Sequence, residues 1–290
     1  MKILLLGASG QVGWQLRRSL SVVGDVLALD REAADLGRLD ELAAIVRAAA
    51  PDAIVNAAAY TAVDRAEAEP DTALRINAQA CDVIAREAAK IDAWLIHYST
   101  DYVFDGSGSR PWREHDATGP INAYGRSKLE GERLIAAHGG RSIVLRTSWV
   151  FDAWGQNFLK TILRAASQRD TLEVVDDQWG APTRAALIAD VTAHVLRAPV
   201  TGVFHLAAAG ETTWHQYATY ALAEARRSGL PVKAATIVPV DSGRFQTAAM
   251  RPRNSRLDTT RLCSTFGLAL PPWQEGVAAV VRELAACARP

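Results

Sequence analysis

The feature that most constrains the fold is a short apolar segment that runs directly into a glycine-rich turn at the N-terminus. The chain begins MKILLLGASGQVG, and residues 3–6 are uninterruptedly apolar, as in a strand buried on both faces of a parallel sheet. Gly7, Gly10 and Gly13 follow at intervals of three. Gly7 would permit a tight turn, Gly10 the close approach of a diphosphate to the backbone, and Gly13 the close packing of the next helix. The pattern predicts a dinucleotide site at that helix N-terminus.

The spacing is GxxGxxG rather than GxGxxG, so the prediction depends on the elements around it. A helix is predicted over residues 14–21 and a second strand over residues 26–29. That strand ends on Asp30, whose carboxylate can accept hydrogen bonds from ribose hydroxyls, which favours NADH. Arg31 beside it suits the additional phosphate of NADPH, so either nicotinamide cofactor is compatible with the sequence.

Predicted strands and helices alternate through the first half of the chain. Strands are predicted over residues 53–58, 94–99 and 142–146, and helices over residues 72–90 and 127–137. This alternation predicts an α/β, Rossmann-like, doubly wound parallel sheet, with a dinucleotide-binding domain over residues 1–150. Residues 151–290, including a predicted helix at 214–227, are less regular. They predict a smaller, interleaved C-terminal substrate-binding domain, with segments at about 172–210 returning to the sheet.

Composition excludes several functional classes. The 290 residues carry 32 basic and 32 acidic side chains without a basic stripe, so no nucleic-acid partner is expected. No segment approaches the roughly 20 apolar residues of a membrane span, and no convincing signal peptide is present, so we expect a cytoplasmic protein without a membrane partner. Cys81, Cys263 and Cys287 are scattered, and His97 and His205 lie in apolar runs. These positions favour core side chains over a metal site.

A second motif, YGRSK at residues 124–128, supplies candidate chemistry. A tyrosine phenol has a pKa of about 10, too high for ready proton exchange at neutral pH. Lys128 lies four residues after Tyr124 on the same helical face, where its charge would lower the pKa of the phenol. Lys128 can also bind the ribose of the nicotinamide. Thr100, at the end of a predicted strand, can donate a hydrogen bond to a substrate oxygen.

The chain resembles the extended short-chain dehydrogenase/reductase family, and within it the dTDP-4-dehydrorhamnose reductases, over residues 1 to about 258. The resemblance is carried by GASGQVGWQL, VNAAAYTAVDRAE, HYSTDYVFDG, NAYGRSKLEGE, LRTSWVF, DDQWGAPT and RPRNSRLD. It implies NAD(P)H-dependent reduction of the 4-keto group of dTDP-4-dehydrorhamnose to dTDP-L-rhamnose, a precursor of lipopolysaccharide and other cell-surface polysaccharides.

The resemblance also implies roles for individual residues. Tyr124 would be the proton donor, Lys128 the cofactor anchor and Thr100 the group that tunes the site. Sugar-nucleotide contacts would fall at Thr100, Asp101 and Trp149, although Trp149 also suits a core position. Cofactor contacts would fall at Gly10, Gln11, Val12, Asp30, Asp35, Leu36, Ala59, Tyr60, Thr61 and Tyr98.

Some members of this family are described as binding magnesium at a dimer interface through glutamates. The first of those positions is Gln15 here, which argues against a magnesium-linked dimer, while a homodimer of another kind stays open. Late in the chain, Arg251 and Arg253 belong to a basic cluster. Guanidinium groups suit the substrate diphosphate, but a solvated charged turn around Pro252 is the alternative.

Three functions remain open at this point. The first is the reductase. The second is another NDP-sugar reductase or an epimerase, which would turn over without net oxidation of its cofactor. A sugar dehydratase is disfavoured, because Thr100-Asp101 is followed by Tyr102 rather than by a glutamate. The third is a non-catalytic, NADP-binding regulatory subunit, which the presence of Thr100, Tyr124 and Lys128 makes the weakest reading.

Overall fold

A six-stranded parallel sheet forms the centre of the molecule, whose computed structural model describes residues 1–198 and 200–288. In spatial order its strands are β10, β5, β4, β3, β1 and β2. The sheet strands are β1 (Lys2–Leu6), β2 (Asp25–Leu29), β3 (Ala53–Asn56), β4 (Trp94–Thr100), β5 (Ser142–Thr147) and β10 (Gly202–His205). The other strands are β6 (Val150–Phe151), β7 (Thr171–Val175), β8 (Trp179–Gly180), β9 (Thr183–Arg184), β11 (Thr212–Thr213) and β12 (Thr236–Val240).

Helices cover both faces of this sheet and build the second half of the chain. They are α1 (Gln11–Leu20), α2 (Leu39–Ala49), α3 (Val63–Ala68), α4 (Pro70–Leu74), α5 (Ala80–Lys90), α6 (Ala123–Ala137), α7 (Phe158–Gln168), α8 (Ala185–Val195), α9 (Trp214–Arg227), α10 (Thr260–Phe266) and α11 (Trp273–Cys287). In the part of the chain that the structure covers, no helix is long and apolar enough to span a bilayer.

Alternation along β1 explains why the sheet is buried on both faces. Ile3 and Leu5 pack in one apolar core with side chains of α1 and α8, whereas Leu4 and Leu6 pack in a second core with α2 and α5. All four side chains are fully buried, and each contributes about 1.5–3 kcal/mol to the free energy of folding. The predicted α/β, doubly wound fold is therefore confirmed, and the apolar run of the first strand is its direct cause.

The chain reverses its direction of winding between β1 and β3, which leaves a crevice at the carboxyl ends of these strands. Gly7 makes the turn there with a left-handed φ of 79°. A Cβ on Gly13 would lie 2.0 Å from the Gly7 carbonyl oxygen, so glycine at both positions lets α1 begin directly on the turn. The N-terminus of α1 consequently opens into the crevice.

The predicted helix over residues 72–90 is interrupted. Near the start of this range, Arg75–Gln79 form a π-helical turn between α4 and α5. The turn directs the buried amide of Asn77 inward, where its Nδ2 donates to the Tyr60 carbonyl at 3.0 Å and to the Ser127 Oγ at 3.0 Å. Periodicity alone could not reveal this, because the interruption serves contacts that are distant in sequence.

The helix that carries Tyr124 begins four residues before the predicted start, at Ala123. Asn122 caps it, since its Oδ1 accepts the backbone N–H of Gly125 at 2.7 Å. Tyr124 thus lies in the first turn of the helix, four residues before Lys128 on the same helix, as predicted. The predicted strand at residues 53–58 is shorter than expected and ends at Asn56, whose Oδ1 accepts the Ala58 N–H at 3.2 Å.

The second half of the chain has its own apolar core. Tyr217 of α9 is fully buried there against Phe151, Phe158 and Trp273. The small parallel sheet of β7 and β12 lies beside α9. β10, by contrast, pairs with β5 and extends the central sheet. The second half of the chain therefore contributes a strand to the sheet that the first half mainly builds.

Candidate functional site

A cleft of about 610 Å³ lies at the carboxyl ends of the central strands, where the winding reverses. Its walls combine the glycine-rich turn, the segments that follow β2, β3, β4 and β5, and the first turns of α6 and α9. Most of the residues predicted for the site line this one cleft: Gly7, Gly10, Gln11, Val12, Arg31, Asp35, Leu36, Ala59, Tyr60, Thr61, Tyr98, Thr100, Asp101, Tyr124, Lys128 and Trp149. Gly13, Asp30, Arg251 and Arg253 do not line it.

At the glycine-rich turn, space and donors fit a diphosphate. A Cβ on Gly10 would meet nothing closer than 3.4 Å, so the backbone there is open. The segment 152–157 braces the turn from outside. Trp154 Nε1 donates to the Ser9 carbonyl at 3.0 Å, and Asn157 Nδ2 donates to Gln11 Oε1 at 2.8 Å. The positive end of the α1 dipole then faces the cleft in a fixed position.

Asp30 and Arg31, the two residues expected to distinguish NADH from NADPH, lie differently with respect to the cleft. The Asp30 carboxylate accepts the backbone N–H groups of Glu32 and Ala33, both at 3.1 Å, so it stabilises the turn after β2. Arg31 is exposed and lines the cleft. Of these two side chains, the guanidinium of Arg31 rather than the carboxylate of Asp30 lines the cleft.

Asn77 fixes the loop that follows β3. Its Oδ1 accepts the Tyr60 N–H at 2.8 Å, while its Nδ2 donates to the Tyr60 carbonyl. The same amide reaches Ser127 on α6. A Cβ on Gly131 would lie 2.1 Å from the Asn77 carbonyl oxygen, so α6 packs against this turn only because the residue is glycine. The cofactor loop and the Tyr124 helix are therefore held together by one buried side chain.

Lys128 is completely buried and reaches the last residues of β4. Its Nζ donates to the Tyr98 carbonyl at 2.6 Å and lies 3.0 Å from His97 Nε2. The Tyr98 phenol points elsewhere, to the Thr192 Oγ1 of α8 at 2.7 Å. The backbone of Tyr98, rather than its hydroxyl, is thus the part that organises the cleft.

The phenol of Tyr124 keeps its proton at neutral pH. Burial raises its pKa to about 12, against a smaller lowering by the Thr100 hydroxyl. The expected lowering of this pKa by Lys128 is not among the effects that act on the phenol. Burial lowers the pKa of Lys128 as well, which weakens the ammonium form that would favour a phenolate. A neutral phenol is the form needed to give a proton to a developing alkoxide.

Three polar atoms on the floor of the cleft have no hydrogen-bond partner within the described residues: Ser99 Oγ, Asp101 Oδ2 and Thr147 Oγ1. All three residues are buried. Sequence reasoning missed Ser99 and Thr147, although both close the carboxyl ends of strands, where ligands of doubly wound sheets bind. Buried groups without partners are rare in proteins, and all three atoms belong to residues that line the cleft.

The carboxyl of Asp101, on the floor of the cleft, has a pKa far from its usual value. Burial raises the pKa of its carboxyl to about 7, against smaller opposing effects of the Ser255 and Thr100 hydroxyls. Thr100 Oγ1 donates to Asp101 Oδ1 at 3.2 Å. Tyr102, the next residue, packs edge-on against Tyr124 with ring centroids 5.8 Å apart. Burial also raises the pKa of the Tyr102 phenol, so it stays neutral.

Trp149 packs against a second tryptophan and also lines the cleft. Its ring stacks on Trp214 with a centroid separation of 3.6 Å, yet it also lines the cleft. Its backbone is left-handed, with a φ of 48°, an uncommon conformation for a large side chain. A Cβ on Gly180 would lie 2.6 Å from the Trp149 ring, so a glycine supports the indole from behind.

The arginines of the late basic cluster have acidic partners. Arg251 Nη1 donates to Asp64 Oδ1 at 2.6 Å, and this pair holds the pKa of the Asp64 carboxyl at about 2. Arg253 is mostly exposed and lies 3.5 Å from Asp177. Their predicted contact with a diphosphate stays a prediction. Over residues 1–198 and 200–288, no group of three or more His, Cys, Asp or Glu side chains is arranged to hold a metal ion.

Comparisons with known proteins agree with this geometry. The chain matches the RmlD substrate binding domain family over residues 1–286. It is 47% identical to the dTDP-4-dehydrorhamnose reductase of Shigella flexneri over 293 residues and 46% identical to that of Escherichia coli K12, with 98% of each chain covered. The crystal structure of a dTDP-4-dehydrorhamnose reductase from Bacillus anthracis in complex with NADP superposes with a TM-score of 0.92 at 31% identity, covering 97% of this chain and 99% of that one.

Replacing Asp101 by asparagine tests the electrostatics of the floor. In the folded protein this carboxyl holds its proton up to a pH of about 7, against 3.8 in a model compound. The contribution of Asp101 to stability should therefore fall as the pH rises from about 4 to about 7, because ionisation is easier in the unfolded chain. Asp101→Asn should lack this fall and exceed the wild type by up to roughly 4 kcal/mol above pH 7.

Urea unfolding of both proteins at pH 4.5 and pH 8 measures this difference. A constant difference at the two pH values would contradict a raised pKa of Asp101.

Proposed function

The chain belongs to the family of dTDP-4-dehydrorhamnose reductases, and we propose that it reduces the 4-keto group of dTDP-4-dehydrorhamnose to give dTDP-L-rhamnose. The observation that carries this proposal is the meeting of Thr100, Tyr124 and Lys128 with a glycine-rich dinucleotide turn in one cleft. A regulatory subunit without catalysis would not need a buried, protonated phenol at this position. We infer that the central sheet binds the cofactor and that the second half of the chain binds the sugar nucleotide.

The residues of the cleft fit a nicotinamide dinucleotide. Gly7, Gly10 and the N-terminus of α1 would hold its diphosphate, while Arg31 would lie at the adenosine end. Ser99 and Thr147, whose hydroxyls have no partner in the described part of the chain, lie at the other end beside Lys128. When bound, the reduced nicotinamide supplies a hydride to the keto carbon.

The protein supplies the proton and the orientation. Tyr124 gives its phenolic proton to the substrate oxygen as negative charge develops there. Its high pKa keeps the proton available through the neutral range. Thr100 lies beside the phenol, and its hydroxyl would stabilise that charge by turning its single proton from Asp101 Oδ1 to the same oxygen. We propose that Asp101 and Trp149 contact the sugar, and that Arg251 and Arg253 approach its diphosphate.

Other sugar-nucleotide chemistries fit the site less well. A dehydratase needs a further carboxylate to expel a hydroxyl, but the position after Asp101 is Tyr102, a neutral phenol packed on Tyr124. An epimerase uses the same tyrosine and lysine and is distinguished by turnover without net oxidation of the cofactor. The homodimer and the cytoplasmic location stay predictions.

The proposal is tested by the absorbance of reduced nicotinamide during incubation with the 4-keto sugar nucleotide and a 3,5-epimerase. We expect oxidation that requires both, with dTDP-L-rhamnose as product. Tyr124→Phe removes only the hydroxyl, so it should retain cofactor binding and lose roughly 10²- to 10⁴-fold in turnover. Unchanged turnover would rule out Tyr124 as the donor, and product formation without net oxidation would favour an epimerase.

Arg31 should determine the preference between the two cofactors. Because its guanidinium lines the cleft while Asp30 is engaged by its own turn, we expect NADPH to bind more tightly than NADH. Arg31→Ala should weaken NADPH by about tenfold or more and leave NADH nearly unchanged. Arg38→Ala is the matched control, since Arg38 is a neighbouring surface arginine paired with Glu41. Equal loss for both cofactors would contradict the role of Arg31. Calorimetric titration measures each affinity.

A further inference from the structure

A loop from the second half of the chain crosses back to the glycine-rich turn. We call this loop, residues 152–157, the strap; it joins β6 to α7. Trp154 Nε1 donates to the Ser9 carbonyl at 3.0 Å, and Asn157 Nδ2 donates to Gln11 Oε1 at 2.8 Å. The two bonds join residues 145 and 146 positions apart in the sequence. The strap therefore ties the second half of the chain to the predicted dinucleotide site.

Two stacked tryptophan rings hold the strap against the first helix. Trp154 stacks on Trp14 of α1, with ring centroids 4.4 Å apart and ring planes 13° from parallel. The guanidinium carbon of Arg17 lies 5.1 Å from the centroid of the Trp14 ring. Trp14 and Trp154 are 41% and 45% exposed, so the stack lies at the surface and can open without disturbing the apolar core. Stacking of two rings is a modest attraction, which suits a contact that opens and closes.

The shape of the strap is fixed from the second half of the chain. Lys160 Nζ of α7 donates to the Ala153 carbonyl at 3.0 Å and to the Gly155 carbonyl at 2.8 Å. Asn157 Nδ2 also donates to the Asp152 carbonyl at 2.7 Å. The strap is therefore a preformed loop that is anchored on α7 and contacts the turn along its outer edge.

A glycine lets the strap pass from the outer side of the turn into the cleft. Gly155 has a left-handed φ of 79°, and a Cβ there would lie 2.7 Å from Gln11 Cγ. The next residue, Gln156, lines the cleft together with Ser9 and Gly10. This is the place where the diphosphate of a dinucleotide is expected, at the N-terminus of α1. A diphosphate bound on the turn would thus lie beside Gln156.

We propose that the strap closes over the diphosphate site and controls the exchange of the nicotinamide dinucleotide, with the Trp14–Trp154 stack as the contact that holds it closed. The strap must lift for a dinucleotide to enter and again for it to leave, so the strength of the stack sets both rates. The inference rests on the cofactor binding given under the proposed function. Its test needs neither substrate nor turnover, so it can fail while the proposed function stands.

The test is stopped-flow fluorescence of NADPH, which measures its association and dissociation rate constants. Trp14→Ala removes the stack and keeps the hydrogen bond from Trp154 to Ser9. We expect both rate constants to rise roughly three- to tenfold, with a much smaller change in Kd, because a weaker stack favours opening with and without ligand. A rise in dissociation alone, with weaker affinity, would make Trp14 an ordinary support of the site and contradict the proposal. Unchanged rate constants would contradict it as well.

Changes at Trp154 separate the stack from the hydrogen bond. Trp154→Phe keeps an aromatic ring for the stack and removes the N–H that Ser9 accepts, so its rate constants should rise less than those of Trp14→Ala. Trp154→Ala loses both contacts and should exceed Trp14→Ala. Adding Trp14→Ala to Trp154→Ala should have no further effect, since the stack is already lost. Full multiplication of the two single effects would contradict a shared stack.

Phe245→Ala is the matched control. Phe245 is an aromatic residue of similar exposure, 44%, and it does not line the cleft, so both rate constants should stay at the wild-type values. If the wild type fails to bind NADPH, the proposed function and the strap are both overturned. If NADPH binds but its rates do not respond to changes at Trp14 and Trp154, the strap alone is overturned.

Discussion

The hydrogen bond from Lys128 to the Tyr98 carbonyl is the interaction on which the arrangement of the site depends. It joins α6, which carries the phenol, to β4, which carries Thr100 and Asp101, through a backbone atom that cannot rotate away. Both groups are buried, so water does not compete for the bond. The position of the proton donor relative to Thr100 and Asp101 is thereby set by the central sheet.

The site also shows how an apolar sheet can present polar chemistry. The strands are mostly apolar, and polar side chains gather towards their carboxyl ends, as at Asn56, Thr100 and Thr147. Thr100 donates to Asp101 Oδ1, whereas the Thr147 hydroxyl has no partner in the described part of the chain. Burial then gives Tyr124 and Asp101 pKa values above their usual range, which favours the protonated form of both.

The sequence was sufficient for the fold and for most of the cleft, because both follow from local patterns. The apolar run before Gly7 and the alternation of elements predict the sheet, and its topology brings the strand ends together. Three things could not be predicted. The π-helical turn at Asn77 exists for contacts with Tyr60 and Ser127 that sequence spacing does not encode. The engagement of Asp30 by its own turn, and the raised pKa of Tyr124, depend on neighbours and burial that only the folded chain defines.

The most direct test of the account is to follow isotope from the cofactor to the sugar. The protein would be incubated with NADPH deuterated at the transferable position, the 4-keto sugar nucleotide and the 3,5-epimerase, and the product analysed by NMR and mass spectrometry. The account predicts one deuterium at C4 of dTDP-L-rhamnose for each cofactor oxidised. Product formed without deuterium at C4, or with the label returned to the cofactor, would contradict a net reduction at that carbon.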